Sequence, residues 1–312
     1  MSQSAVTRRQ FLQSTAVGAV ATAANGASLQ AADQNTQPVI DCHAHIYSPD
    51  EQKYPTIEKP YRPPAGTGTV EHLQRVMRES GVKYVTAIQT STFYKWDNRF
   101  TADASRDNSD FMAGVCTLNP DDPGSPETLR TYARSFNIRG MRSIPAQSGR
   151  LDDPGVAALW KTAEELGIVI NVLVNADKRE EIESLVALHR KLNVVIDHCL
   201  NVKAGPDLGN TLQTMTALAK LPTLHAKLSF IPTGSAEGFP FRDMHDPCRQ
   251  IIDAYGPQRC VWGSDFPCEL WCPKVTYAQH LQIFTQELGL AADTQRAILW
   301  ETPKRLWFAD NP

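Results

Sequence analysis

Residues 39–45 read VIDCHAH, an apolar run that ends in two histidines one residue apart. Side chains two residues apart in a strand point the same way, so we expect Asp41, His43 and His45 to share one face. Two imidazoles on one face can hold a metal ion or act together on a substrate. A doubly wound sheet usually places a glycine-rich phosphate-binding turn after its first strand, and the two histidines occupy that place here. The stretch therefore argues against that fold.

Short apolar runs alternate with helical patterns along the rest of the chain. Helical segments include one capped by Thr69 and one capped by Ser125, with Pro126 at its first position, and two more follow the last strand. About eight strand–helix repeats over this length indicate an α/β fold of the (β/α)8 TIM-barrel type. We predict a single domain over residues 38–312, with an extra C-terminal helix. We predict its strands at residues 39–45, 82–89, 111–118, 138–144, 168–174, 194–198, 223–230 and 260–265.

The first 32 residues differ in composition from the rest of the chain. Arg8 and Arg9 precede a stretch rich in alanine and valine, and small residues surround a cleavage point near Ala31. This arrangement is typical of a twin-arginine signal peptide, so we expect residues 1–32 to direct export to the periplasm. An N-terminal membrane anchor is the alternative, although Asn25 interrupts the apolar stretch. We expect no membrane-spanning segment in the mature chain.

The composition is close to the globular average, and the formal net charge is −3. This balance argues against nucleic acid as a partner and against a basic membrane-binding patch. The partner that we expect is a small-molecule substrate, and the sequence leaves a homo-oligomer open. The seven cysteines are scattered, but Cys268 and Cys272 are close enough to bridge in an oxidising compartment.

Ionisable side chains recur at the carboxyl ends of the predicted strands, where a TIM barrel carries its functional groups. His43 and His45 end the first strand, Asp197 and His198 end the sixth, and Asp265 ends the eighth. In a closed barrel these strand ends surround one mouth. Three protein ligands and a water molecule already make a catalytic zinc site. The candidate ligands of one divalent metal such as zinc are therefore His43, His45, His198 and Asp265.

The motifs DCHAH at residues 41–45, VIDH at 195–198 and VWGSDFP at 261–267 resemble the amidohydrolase superfamily. More narrowly, they are similar to the amidohydrolase-2 family, which includes 2-pyrone-4,6-dicarboxylate lactonase and sugar-acid lactonases. The resemblance runs from about Pro38 to the C-terminus. It implies a hydrolase that opens a cyclic ester, either a carboxylated lactone or a sugar-acid lactone. Asp265 would then be the general base.

The resemblance leaves the role of a metal open. His43, His45 and His198 would either ligate a metal that polarises the carbonyl or donate hydrogen bonds to the developing oxyanion. Metal-bearing members of the superfamily commonly carry a further histidine at the end of the fifth strand, whereas this chain has Asn171 and Asn175 there. Two alternatives need no catalysis: Asp265 could cap a helix after the eighth strand, and His198 could be a core histidine.

Four other residues are candidate substrate-binding groups. Arg142 faces the barrel interior in the predicted fourth strand, and its guanidinium suits a carboxylate. A structural ion pair with a barrel carboxylate is the alternative. Lys227 in the seventh strand could balance an anionic substrate or pair with Asp197. Tyr54 and Tyr94 lie in loops that would line the mouth, where they could contact a ring substrate or simply pack the loops.

Two other functions remain open. Relatives with a similar acid after the eighth strand include metal-dependent non-oxidative decarboxylases of aromatic acids, and the missing fifth-strand histidine weighs against that activity. A barrel that only binds a ligand is the second alternative. The intact set of His43, His45, His198 and Asp265 argues for catalysis instead.

Overall fold

The computed structural model describes residues 37–310, in which eight parallel strands form one sheet and each strand pairs with the next along the chain. Backbone hydrogen bonds from Cys42 N to Trp262 O (3.0 Å) and from Asp265 N to His43 O (2.9 Å) join the first strand to the segment after the last and close the barrel. The predicted (β/α)8 TIM barrel is confirmed. The strands are β1 (Val39–Ala44), β2 (Val82–Ile88), β3 (Met112–Thr117), β4 (Ile138–Ser143), β5 (Val169–Val172), β6 (Val194–Ile196), β7 (Leu224–Lys227) and β8 (Cys260–Val261).

Helices separate successive strands. They are α1 (Val70–Ser80), α2 (Ser91–Tyr94), α3 (Arg99–Asp107), α4 (Ser125–Ser135), α5 (Pro154–Leu166), α6 (Arg179–Leu188), α7 (His198–Asn201), α8 (Leu208–Leu218), α9 (Ile231–Gly234), α10 (His245–Tyr255), α11 (Cys268–Trp271), α12 (Tyr277–Gln282), α13 (Ala292–Arg296) and α14 (Thr302–Trp307). Wider π-helical turns extend α12 and join α13 to α14. The run from α13 to α14 is the extra C-terminal helix that the sequence predicts.

Local sequence signals set several helix ends. Thr69 caps α1 as predicted, and Gly81 ends it in the left-handed conformation (φ 71°) that glycine adopts without a steric penalty. The prediction that Ser125 caps α4 is wrong. Gly124 occupies the cap position, and the Ser125 hydroxyl, one residue inside the helix, donates instead to Asn119 O at 2.7 Å. The serine therefore ties α4 to the preceding loop.

An irregularity in β1 changes which side chains share a face. Asp41 pairs with Val85 in β2, but Ala44 pairs with Ala87, so β1 holds one more residue than β2 over this stretch. An extra residue of this kind turns the following side chains relative to the preceding ones. The expectation that Asp41 shares one face with His43 and His45 is therefore wrong: its carboxylate contacts Ser264 and Tyr277 instead.

Strand residues are buried on both faces of the sheet, as is usual for parallel strands covered by helices. The C-terminal helix closes the end of the barrel opposite the histidines with Trp307 and Phe308. These two rings join one apolar cluster with residues of six strands, namely Ile40, Cys42, Tyr84, Ala113, Val169, Val195 and Val261. This packing fixes β1 at the base of the barrel and leaves its carboxyl end free to carry functional groups.

Two expectations concern features beyond the barrel itself. The predicted signal peptide, residues 1–32, lies outside the described residues, so export to the periplasm stays a prediction. Within residues 37–310, no helix has the length and apolar character that a membrane crossing needs.

Cys268 and Cys272, which the sequence places close enough to bridge, are both buried free thiols in this structure.

Candidate active site

The histidines at the end of β1 meet the carboxylate after β8. His43 Nε2 and His45 Nε2 are 3.3 Å apart, and Asp265 Oδ1 lies 3.5 Å from the first and 3.7 Å from the second. The His45 Nδ1–H donates to Ile88 O at 2.9 Å, which leaves His45 Nε2 as an acceptor. Three donor atoms for a cation thus lie within 4.8 Å of one another.

The backbone aims Asp265 at the histidines. Asp265 adopts a left-handed conformation (φ 57°), which costs a residue with a Cβ about 1–2 kcal/mol. The Asp265 N–H donates to His43 O, so the bend is tied to β1. Helix α11 begins three residues later, with Pro267 at its cap position, and Asp265 therefore does not cap it. Strain of this kind clusters at functional sites.

Asp41 stabilises the bend at Asp265 through hydrogen bonds with the neighbouring residue Ser264. Its carboxylate accepts hydrogen bonds from Ser264 N (2.9 Å), the Ser264 hydroxyl (2.6 Å) and the Tyr277 hydroxyl (2.9 Å). It also accepts from His43 N at 3.0 Å. One buried carboxylate thus links the strand that carries the histidines to the loop that carries Asp265.

His198 reaches the same cavity from the end of β6. Its ring centroid is 4.6 Å from that of His43, and its Nδ1 lies 2.9 Å from the Ser229 hydroxyl. Each residue of the turn His198–Asn201 has a positive φ, between 49° and 62°, a second strained segment at this mouth. His198 is not one of the three clustered donors, so the structure groups three of the four predicted ligands.

A buried ion network lies beside the histidines. Asp197 Oδ1 is 2.8 Å from Lys227 Nζ, and Asp197 Oδ2 accepts from Arg142 Nε at 3.1 Å. Arg142 Nη2 also donates to His43 Nε2 at 2.9 Å, and Asn171 Nδ2 donates to Asp197 Oδ1 at 3.2 Å. The structural ion pair that the sequence left open for Arg142 and for Lys227 is thus present. It ties β4, β6 and β7 to the first histidine.

Burial and charge shift the acid–base groups of the site. Burial raises the pKa of Asp265 to about 7, although Arg142 acts in the opposite direction. Burial lowers the pKa of His45 to about 3 and that of His198 to about 4, and Arg142 contributes to both shifts. Burial alone would raise the pKa of Asp197, but Lys227 and Arg142 hold it well below its ordinary value. Near neutral pH the imidazoles are therefore uncharged, and Asp265 can take up or release a proton.

Asp265, His45, His198 and Arg142 line a cavity of about 290 Å³ at the carboxyl end of the barrel. Its lining consists of His45, Thr90, Ser91, Thr92, Arg142, Leu173, His198, Asn201, Thr233, Asp265 and Trp271. A larger surface hollow of about 530 Å³, beside α1 and α11, contains none of the three clustered donors. The smaller cavity is therefore the candidate active site, because the acid–base groups converge on it.

Three predicted substrate-binding residues lie elsewhere among the described residues. Lys227 is fully buried beside Asp197 and does not line the cavity. Tyr94 accepts from Ser48 N at 2.8 Å, and Tyr54 donates to Asp103 at 2.7 Å, so both pack the loops after β1 and β2. Sequence reasoning missed Trp271 and the hydroxyl residues of the lining. The position of Trp271 in the loop after β8 is the signal that could have found it.

Comparison with known proteins identifies the family. The Amidohydro_2 family model, described as amidohydrolase, matches residues 40–309. This chain therefore belongs to the amidohydrolase-2 family of hydrolases. It is 22% identical over 238 residues to L-fucono-1,5-lactonase of Burkholderia ambifaria, covering 73% of this chain and 80% of that protein. It is 25% identical over 237 residues to 4-sulfomuconolactone hydrolase of Rhizobium radiobacter, covering 73% and 75%.

Solved structures share the fold. A protein of Pseudomonas putida described as a 2-pyrone-4,6-dicarboxylic acid hydrolase superposes with a TM-score of 0.73 at 23% identity, covering 87% of this chain and 97% of that one. A zinc-bound amidohydrolase of Burkholderia multivorans has a TM-score of 0.70 at 21% identity, covering 88% and 99%. The 5-carboxyvanillate decarboxylase of Sphingomonas paucimobilis has a TM-score of 0.61 at 14% identity, covering 87% and 99%. At these identities the likeness concerns the fold.

Proposed function

We propose that this protein hydrolyses the ester bond of a lactone, carboxylated or derived from a sugar acid, with Asp265 as the general base. The observation that carries the proposal is the position of the buried Asp265 carboxylate, 3.5 Å from His43 and 3.7 Å from His45, in a cavity that His198 also lines. Relatives named as lactone hydrolases support the same reaction class. The TIM-barrel position of the site, at the carboxyl ends of the strands, is where such chemistry occurs.

The reaction begins with a water molecule between Asp265 and His45 Nε2, both of which are acceptors when Asp265 is ionised. Asp265 takes a proton as the water oxygen attacks the lactone carbonyl carbon. The negative charge on the carbonyl oxygen is stabilised by the Arg142 guanidinium and by His198, whose Nε2 carries the proton when the Ser229 hydroxyl donates to Nδ1. The ring C–O bond then breaks, and Asp265 returns its proton to the leaving oxygen.

The donor set also fits a divalent cation. His43 Nε2 accepts from Arg142 and His45 Nε2 carries no proton, so with an ionised Asp265 three acceptor atoms face one another without a hydrogen between them. Two imidazoles and a carboxylate are ligands that zinc accepts, and such an ion polarises a carbonyl and lowers the pKa of a bound water. A metal on His43 Nε2 would replace its hydrogen bond from Arg142.

Zinc titration of the metal-free protein tests this ligand set. We expect one equivalent to bind, and we expect His45→Asn and Asp265→Asn each to weaken binding more than about tenfold, because each removes a ligand. His198→Asn is the matched control and is expected to bind zinc within about threefold of wild type, since His198 lies outside the cluster. Calorimetry measures all three. Equal losses in the His198 and His45 variants would contradict the assignment.

The pH profile of the metal-free enzyme follows from the raised pKa of Asp265. The base must be ionised, so kcat/KM is expected to rise with increasing pH and to level off above about 7. Burial lowers the pKa of His45 to about 3 and that of His198 to about 4, and it holds the pKa of His43 well below its ordinary value, so the imidazoles leave this range unaffected. A profile that levels off below about pH 5, the range of an ordinary aspartate, would contradict the account.

A substrate panel tests the reaction class. Purified protein is assayed with sugar-acid lactones, carboxylated lactones and aromatic acids, with and without a chelator, while acid release and carbon dioxide are both recorded. We expect acid release from lactones and no carbon dioxide from aromatic acids. Carbon dioxide release that depends on a divalent metal, without lactone hydrolysis, would favour the decarboxylase alternative and overturn the proposal.

A further inference from the structure

The lining of the cavity carries an inference about its substrate, which rests on the proposed lactone hydrolysis. We propose that the site takes an uncharged, polyhydroxylated lactone, the cyclic ester of a sugar acid, and that Trp271 is the platform against which the lactone ring packs. Trp271 would then be a specificity-determining residue for this reaction.

The charges of the lining do not suit a lactone with several anionic groups. Among the described residues, Arg142 is the single arginine or lysine that lines the cavity; its Nε pairs with Asp197 at 3.1 Å, and the proposed mechanism uses the rest of its guanidinium for the lactone carbonyl oxygen. Lys227 also pairs with Asp197 and lies outside the lining. Asp265 adds a carboxylate. A lactone with two acidic groups would therefore bring negative charge beside Asp265 without an unpaired cation to balance it, which is costly in a buried site.

The remaining polar lining is neutral and complementary to hydroxyl groups. Thr90, Ser91 and Thr92 follow β2 on one side of the cavity, and Asn201 and Thr233 lie after β6 and β7. The Asn201 amide donates to Asn175 Oδ1 at 2.8 Å and the Thr233 hydroxyl to Phe230 O at 3.2 Å, so these two residues offer their oxygens as acceptors. Hydroxyls and amides both donate and accept hydrogen bonds, as the hydroxyls of a sugar lactone do. A few such groups, beside the apolar side chains of Leu173 and Trp271, fix the orientation of a small ligand.

Trp271 contributes an apolar surface to the cavity lining in a fixed orientation. Its indole lies 5.2 Å from the His45 ring and 5.1 Å from the Tyr61 ring, measured between centroids. Its Nε1–H donates to the Tyr47 hydroxyl at 3.2 Å, so the polar edge of the indole is already satisfied. The rest of the half-buried ring can then contact the carbon face of a substrate ring next to the catalytic histidine.

The charge preference is tested with lactones of equal ring size, neutral aldonolactones on one side and lactones with two anionic groups on the other. We expect at least one neutral lactone to exceed every dianionic one in kcat/KM by about a hundredfold or more. The reason is that the lining offers hydrogen-bond partners for substrate hydroxyls but no unpaired cation for a second anionic group. Dianionic lactones turned over as well as the neutral ones would overturn the inference while the proposed function stands. No hydrolysis of any lactone would instead overturn the proposed function.

The platform is tested with Trp271 variants on the best neutral lactone. Trp271→Leu is expected to raise KM about tenfold with little change in kcat, whereas Trp271→Phe keeps an aromatic face and is expected to stay within about threefold of wild type. Trp300→Leu is the matched control, because Trp300 stacks on Tyr84 away from the cavity lining. Circular dichroism confirms that each variant is folded. An unchanged KM in folded Trp271→Leu, or an equal KM increase in Trp300→Leu, would overturn the role of Trp271.

Discussion

Replacing Asp265 with Asn is expected to lower kcat for lactone hydrolysis by about 10³-fold. An amide keeps the size and hydrogen-bonding capacity of the side chain but cannot take a proton from water, and general-base catalysis typically contributes about 10²–10⁴ in rate. The comparison uses Asp265→Asn and wild type, each metal-free, with the lactone that the panel identifies. The pH dependence that Asp265 causes in the wild-type enzyme should disappear with it.

The matched control for this prediction is Asp246→Asn. Asp246 is 96% exposed at its side chain and contacts Arg249 on the surface, so its loss is expected to leave kcat unchanged. A folded Asp265→Asn variant that retains rates within about tenfold of wild type would contradict the role of Asp265 as the base.

Replacing Asp197 with Asn is expected to destabilise the fold by about 3–5 kcal/mol at neutral pH, because Lys227 and Arg142 would keep their buried charges without a carboxylate partner. The pKa of Asp197 is depressed in the folded state, so its ionised form stabilises the fold above the ordinary pKa of an aspartate. That contribution is lost as the pH falls towards the depressed value. The difference between variant and wild type should therefore shrink in acid.

Denaturant unfolding at several pH values measures this effect. Asp293→Asn is the matched control, since the side chain of Asp293 is 85% exposed and its pairing with Arg296 is expected to matter by less than about 1 kcal/mol. A loss below about 1 kcal/mol for Asp197→Asn would mean that the buried network does not hold the barrel together.

The order of the strands and of the long helices was predictable from the chain because these elements carry local signals, whereas α2 and α3, between β2 and β3, were not predicted. The buried strands read as continuous apolar runs, and Thr69 and Gly81 mark the ends of α1. The barrel places His43, His45 and Asp265 together because the carboxyl ends of parallel strands meet at one mouth. The strand and helix pattern and the grouping of these three side chains both follow from the spacing of residues along the sequence.

Other features depend on contacts that no local pattern encodes. The extra residue in β1 sends the Asp41 carboxylate to Ser264 and Tyr277, although alternation alone places it beside the histidines. Strand β8 ends at Val261, four residues earlier than predicted, because the segment after it bends to bring Asp265 over β1. The depth of Lys227 inside the barrel decides whether its ammonium group contacts substrate or pairs with Asp197. The sequence does not specify this depth.

A crystal structure of Asp265→Asn with a neutral sugar-acid lactone is the most direct test that the barrel mouth is a lactone-hydrolysing site. We predict the lactone carbonyl carbon about 4–6 Å from the side-chain oxygen at position 265, with room for one water between them, and the carbonyl oxygen about 3 Å from a nitrogen of His198 or Arg142. A lactone bound outside this cavity, or one whose carbonyl lies more than about 7 Å from position 265, would contradict that assignment.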